Sequence, residues 1–367
     1  MKIFIVDYIG KHCGMHYYNE ALKKTLLSIP DTEVVILSNY TDIETGRPFF
    51  LYQYRGSKMR KIAALFCNYI RLLFFVVRFR KDCFLYLSYG NGIDIPFIRI
   101  VSLANRNILD IHEAIAQNAD NNARLNRQFK KTYRTRVKSV IVHSQRTIDL
   151  LNGYGYAGIR LFVPHFRYCF QKDYNIRLVG QDVISSIAND KVNILFFGNI
   201  TYDKGIDILI SAVNKLTPDK SQQVNIIIAG KDFDGTVYRT KPQNEEIFNI
   251  ILRHIEDDEL VYLYEHTDYV ALPYRKTSQS GILEMAFYFR KPIIASDIPY
   301  FKKMLSDFPS FGVLSGNNNP EAYALSLSSI IENHRSAAYF ADDDYARFTN
   351  CKEITDFKIQ FKNWMNK

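Results

Sequence analysis

Short, continuously apolar runs alternate with amphipathic stretches along most of this chain. Ile3–Val6, Val34–Leu37, Phe84–Leu87, Asn107–Asp110 and Val140–Val142 in the first half, and Ile194–Phe197, Ile226–Ala229, Val270–Leu272 and Ile293–Ala295 in the second, predict buried strands. Helical spacing falls between and after them. Ile206, Leu209, Ile210 and Val213 share one face, as do Phe357, Phe361 and Trp364 in a last helix over Thr355–Met365. Strands alternating with helices predict an α/β architecture. Periodicity lapses near residues 170–190, after Val163-Pro164, which places a first domain at 1–180 and a second at 181–351. No repeat of solenoid period and no low-complexity tract is evident.

Composition agrees with two domains. A chain of 367 residues is long for one core and comfortable for two, and 47% hydrophobic content is that of a soluble globular protein. The five cysteines (Cys13, Cys67, Cys83, Cys169, Cys351) are odd in number and form no CxxC pair, which predicts reduced thiols in a cytoplasmic protein and no zinc site. The chain opens on a core strand rather than a signal peptide.

Charge changes the picture more. Through Arg177 there are 27 Lys and Arg against 13 Asp and Glu, a net +14, which leaves −5 of the whole-chain +9 for the remainder. Within the basic half, residues 57–82 carry Lys58, Arg60, Lys61, Arg71, Arg78, Arg80 and Lys81 around an apolar centre interrupted by Asn68 and Arg71. That centre is shorter than the ~20 residues a spanning helix needs, and it predicts an interfacial helix that docks on an anionic membrane surface. A domain helix with one buried face and basic ends fits the same residues. A second basic cluster, Arg124 to Lys138, reads as an exposed helix face. Nucleic acid is not an expected partner. The 25 Tyr and 26 Phe offer stacking surfaces, but no RNP-like strand, zinc finger or helix-turn-helix accompanies them. Neither half carries a glycine fingerprint for a nicotinamide cofactor after its first strand.

Two segments carry chemistry. In residues 269–297 a strand, Tyr269 to Leu272, runs into a polar, basic loop, Pro273 to Ser280, then a helix, Gly281 to Phe289, and another strand. In a parallel sheet that loop lies at the carboxyl edge, where ligands bind. The N–H groups near Ser280, Gly281 and Ile282 would aim positive charge at an anion, and Glu284, one turn further in, can accept hydrogen bonds from a pair of sugar hydroxyls. A plain helix start, with Ser280 as cap and Glu284 as first-turn acid, fits too. The second segment is the strand Asn193 to Phe197 followed by Gly198, Asn199 and, at the mouth of the next helix, Lys204-Gly205. Gly198 allows close backbone approach and Lys204 brings a mobile ammonium. This is neither a P-loop nor GxGxxG.

Taken in order, FFGN, DKGIDILISAV, NIIIAG, DDELVYLYEHTDYVALPY and SGILEMAFYFRKPIIASD closely resemble the nucleotide-binding half of glycosyltransferase family 4 over residues 192–315. KIFIVDYIGKHCGMHYYNEAL, LDIHE and VIVHSQ resemble its amino-terminal half more loosely. The resemblance implies a GT-B fold, two Rossmann-like doubly wound domains facing across a cleft, with the terminal helix 352–367 returning to the first. It implies a retaining transferase that takes a UDP- or GDP-sugar as substrate and needs no metal or other cofactor. The acceptor implied is a glycan, polyprenyl-linked, at the inner membrane face, in capsule, O-antigen or exopolysaccharide assembly.

Site residues follow from the same match. Lys204, with the N–H groups at Ser280, Gly281 and Ile282, would stabilise the departing diphosphate, with Gly14, Gly198 and Asn199 lining its path. His112, the match to the family's active-site histidine, would reach the donor sugar or acceptor hydroxyl. Glu284 would hold the ribose, and the nucleobase would lie near Arg253, His254 and Ile255. His112 and Glu113 beside Asp110 imitate a metal cluster, without apparent supporting ligands. Two departures stand out: the family's first glutamate falls on Lys276, and its arginine after the first-strand glycine is replaced by Asn199. A charge pair at about 4 Å in an effective dielectric of 20 is worth on the order of 4 kcal/mol, so Arg275 or Lys276 is expected to restore the missing cation. A GT-B sugar-nucleotide epimerase or an inactive transferase-like subunit is the alternative, since fold alone does not settle function; nucleic-acid binding is a remote one.

Overall fold

The computed structural model describes residues 1–40, 47–51, 57–112, 123–168, 170, 173–240, 242–277, 279–333 and 339–366. The chain divides into two compact units. One comprises Met1–Phe166 with Cys351–Lys367, the other Arg167–Asn350.

The first unit holds a six-stranded parallel sheet. Its strands are β1 (Lys2–Val6), β2 (Glu33–Leu37), β3 (Cys83–Ser88), β4 (Arg106–Ile111), β5 (Ser139–Val142) and β6 (Ile159–Phe162), in the order β2-β1-β3-β4-β5-β6. Buried apolar side chains from both faces meet helices, among them α1 (Met15–Leu27) and α2 (Lys58–Arg78). The helix Lys352–Met365 packs on this unit. Phe357, Phe361 and Trp364 are its buried side chains, and the Trp364 indole N–H donates to Ser139 Oγ at 2.7 Å.

The second unit repeats the plan with β7 (Val192–Phe197), β8 (Val224–Ala229), β9 (Phe248–Ile251), β10 (Tyr269–Leu272), β11 (Ile293–Ser296) and β12 (Gly312–Ser315). Their order is β12-β11-β10-β7-β8-β9, all parallel. Counted within the unit this is 6-5-4-1-2-3, the arrangement of dinucleotide-binding folds, whose strand order reverses between the first and fourth strands. In the first unit the reversal falls between β1 and β3. Ligands bind such sheets outside the carboxyl ends of the strands at the reversal.

The apolar runs do not predict β6, β9 and β12. Each is an outermost strand with partly exposed positions, so its sequence mixes polar and apolar residues. Cys83 and Cys351 are buried and Cys67 is exposed, all as free thiols; the side chains of Cys13 and Cys169 lie outside the described residues.

Candidate active site

In the second unit the strand reversal puts β7 and β10 side by side, with Tyr269 opposite Ile194 and Val270 opposite Leu195. Gly205 seals the contact between the segments that follow them. Its φ of +66° is left-handed, and a Cβ there would lie 1.9 Å from the Pro273 carbonyl oxygen. The 3-10 turn Tyr202–Lys204 is thereby held against the loop after β10. Lys204 Nζ sits 3.8 Å from the centre of the Tyr274 ring and, among the described residues, pairs with no carboxylate. Gly198 has φ +102°, and a Cβ there would come within 3.0 Å of Ile282, so the end of β7 lies against the start of the helix Gly281–Tyr288.

That helix is capped by Ser280, whose Oγ accepts from the Leu283 N–H at 3.3 Å. Glu284 in its first turn is 2% exposed. Its Oε1 accepts from Arg167 Nη1 at 2.7 Å, while its Oε2, also buried, has no hydrogen-bond partner among the described residues. Burial pushes the Glu284 carboxyl above its ordinary value, with Arg167 opposing. Arg167 is itself held by stacking 3.9 Å over the Phe348 ring and by donating to the Phe348 carbonyl at 3.1 Å. Arg167 is absent from the sequence-based site. It falls at the edge of the aperiodic stretch, and the only signal for it was the need of a buried carboxylate for a counter-charge.

The cations expected to replace the missing arginine are otherwise engaged. Arg275 makes a bidentate pair with Asp207 (2.8 and 2.6 Å) and stacks 3.9 Å over Tyr202, and Lys276 lies 3.5 Å from Asp203. Both clamp the β10 loop onto the turn carrying Lys204. Asn199 is exposed at the end of β7. The structure also redirects Arg253. Its guanidinium places all five N–H donors on Asp182, Glu259 and the His254 carbonyl, at 2.7–3.0 Å. It ties the segment around Asp182 to the helix Asp257–Glu265 beside the edge strand β9 and has no donor left for a nucleobase. His254 lies 3.9 Å from Glu256, and Ile255 is buried.

In the first unit the loop after β1 is organised by buried Asp7. Its carboxylate accepts from the N–H groups of Ile9 and Gly10 (both 2.9 Å), from Asn19 (2.7 Å) and from the Tyr89 hydroxyl (2.7 Å). Gly14 ends this loop at φ +70° and starts α1. Across the same sheet edge, Asp110 and His112 leave the end of β4 on one face, two residues apart. The Asp110 carboxylate accepts from the Tyr18 hydroxyl (2.7 Å) and faces His143 Nε2 (2.7 Å), with His112 Nε2 at 3.7 Å. His143 and Tyr18 were not among the expected site residues. Glu113 lies outside the described residues.

Comparison with known proteins agrees with the two parallel sheets described above. Residues 181–347 match the family described as Glycosyl transferases group 1. No curated protein matches the chain significantly. Among solved structures, sucrose-phosphate synthase from Thermosynechococcus elongatus superposes with a TM-score of 0.69 at 14% identity, covering 100% of this chain and 98% of that one. HepE of Anabaena, solved with UDP and glucose, gives 0.69 at 14%, with 100% and 99% covered. WaaG, a glycosyltransferase involved in lipopolysaccharide biosynthesis, gives 0.66 at 11%, with 98% of each chain covered. The fold is GT-B.

Proposed function

We propose, from the match of residues 181–347 to the family described as Glycosyl transferases group 1, that this chain moves a sugar from a nucleotide-sugar donor to a glycan acceptor with retention of configuration. The observation that carries the reading is Glu284. At the strand reversal, at the head of a helix, it presents a buried carboxylate oxygen without a partner among the described residues, while Arg167 holds the other. Such an oxygen accepts a ribose hydroxyl. The N–H groups at Gly281 and Ile282, and the Lys204 ammonium, take the diphosphate as negative charge builds on it. His112 acts at the reacting sugar. No metal is part of this reading.

Thermal unfolding with UDP, GDP, NAD and a short oligonucleotide tests the proposal. UDP comes first, since HepE of Anabaena was solved with it. A ligand at 100 times its dissociation constant adds about 2.7 kcal/mol, a readable rise in midpoint. The expected result is a rise with one nucleoside diphosphate that Lys204→Ala abolishes. Stabilisation by NAD or oligonucleotide alone would overturn the transferase reading.

The acceptor is proposed to be lipid-linked, met at the inner face of the cell membrane during surface-polysaccharide assembly. Helix α2 supports this. Leu72 and Val76 pack into the core, whereas Met59, Ile62, Phe66, Ile70, Leu73 and Val77 form an exposed apolar stripe at three- and four-residue spacing, with Phe74 beside it. No helix among the described residues is long and apolar enough to cross a membrane. With basic residues at both ends, the stripe suits shallow insertion among anionic headgroups. Burying one phenylalanine is worth about 1.5–3 kcal/mol, so Phe66→Glu is expected to weaken sedimentation with phosphatidylglycerol vesicles by roughly tenfold or more. Equal binding by Phe66→Glu and the parent protein would remove α2 from the membrane contact.

A further inference from the structure

We propose that a groove between the edge strand β2 and helix α2 binds a single-chain lipid phosphate, with the phosphate on Arg71 and Arg47 and the chain along the phenylalanines behind them. Its residues all belong to the first unit, whereas Lys204 and Glu284 belong to the second, so the site is independent of the transferase reading.

The groove has a volume of about 520 Å³, within the range of small-molecule sites. It follows β2 from Glu33 to Leu37, roughly 13 Å at the rise of a parallel strand. Val35 and Leu37, with Phe4 opposite Val35 on β1, form its floor, and Phe75 and Phe79 of α2 its wall. The Phe4, Phe75 and Phe79 rings pack on one another with centres 4.6–5.5 Å apart, and Phe49 extends the wall 5.1 Å from Phe75. Val35, Phe49, Phe75 and Phe79 are only partly buried, which leaves apolar surface facing the groove.

The two polar residues that interrupt the apolar centre of α2 both serve this groove. Asn68 is wholly buried. Its Oδ1 accepts from the Leu51 N–H at 2.8 Å and its Nδ2 donates to the Leu51 carbonyl at 3.0 Å. The Phe50 N–H donates to the Ser38 carbonyl at 2.9 Å, and together these bonds fix the segment 47–51 that carries Arg47 and Phe49. Arg71 shares the face of Phe75 and Phe79 at four-residue spacing. Its guanidinium is exposed, lies 5.7 Å from the Phe49 ring centre and pairs with no carboxylate among the described residues. Arg47 and Lys2 add positive charge, and Glu33, the one acid in the lining, is paired with Lys2.

This lining selects its ligand. Among the described residues it holds no amide, hydroxyl or imidazole side chain. Sugars and nucleobases need such groups for their donors and acceptors, whereas a hydrocarbon chain ending in a phosphate needs apolar walls and a guanidinium. The groove is also separate from the exposed stripe of α2, since Phe75 lies about half a turn around the helix from Phe66.

Calorimetric titration of the full chain with hexyl, octyl and decyl phosphate, each kept monomeric, tests the site. One equivalent should bind, with affinity rising roughly two- to fourfold for each methylene added. Inorganic phosphate and decanol should each bind about tenfold or more weakly than decyl phosphate. Arg71→Ala should weaken decyl phosphate by roughly tenfold, and Val35→Trp, which fills the groove from its floor, should abolish binding. Should Val35→Trp fail to fold, Arg71→Ala, a change at an exposed position, carries the test. Decanol binding as tightly as decyl phosphate, or equal binding by Arg71→Ala and the parent, overturns the proposal. So does binding that Phe66→Glu removes and Val35→Trp retains, which puts the chain on the exposed stripe, and so does the absence of binding by the parent.

Discussion

Arg167→Ala is expected to lower the unfolding midpoint by roughly 10 °C and to abolish stabilisation by nucleotide. Glu284 is buried at the head of its helix, and Arg167, itself only 20% exposed, is the cation that compensates it. Removing one partner of a buried pair leaves the other charge without solvent or counter-ion, which typically costs about 3–5 kcal/mol. Loss of the stacking contact on Phe348 adds to this. Glu284 meets the cost either by staying charged or by taking up a proton, which burial already favours. The protonated form is no longer the ionised acceptor that a ribose hydroxyl meets in the parent, and the charged form has lost the Arg167 contact that holds its Oε1 in place. Arg167→Met combined with Glu284→Gln removes both charges and should recover most of the stability while leaving the donor site impaired. A four-cornered cycle of unfolding midpoints, each with and without UDP, measures both effects. An Arg167→Ala midpoint within experimental error of the parent would show that the pair does not carry the stability assigned to it.

His112→Ala should lower turnover by about 10²–10⁴-fold while leaving the nucleotide-induced rise in midpoint intact. The two readouts separate because Lys204 and Glu284 belong to the second unit and His112 to the first. Burial pulls the His112 imidazole well below its ordinary value, to about 3, so its contribution is expected in the reacting step rather than in folding charge. His112→Gln, which retains a polar group of similar reach, should fall between the two. Full turnover by His112→Ala would discard its role, and a lost nucleotide shift would move it to donor binding.

The strands read from apolar runs are those with two neighbours, together with β1's edge partner β2. Burial on both faces leaves a continuous hydrophobic signature, whereas β6, β9 and β12 are half solvated and leave none. The segment from Tyr269 through Glu284 was legible for a related reason: its strand, loop, cap and carboxylate follow one another along the chain. Arg253 shows the opposite case. Its place in the sequence suggested ligand contact, and the five hydrogen bonds it donates, to partners as distant as Asp182, make it a structural clamp.

By itself, then, the sequence determined the alternation of strand and helix, the GT-B resemblance and the local motif at the head of the Glu284 helix, because each is written in neighbouring residues. Only the tertiary structure decided which charges meet. Arg167 and Glu284 are 117 positions apart, Tyr18 and Asp110 92, and Asp110 and His143 33. Nothing local distinguishes such residues from their solvated counterparts. It is the parallel sheets that gather them at the carboxyl ends of their strands, and burial there turns each into a group that must find a partner.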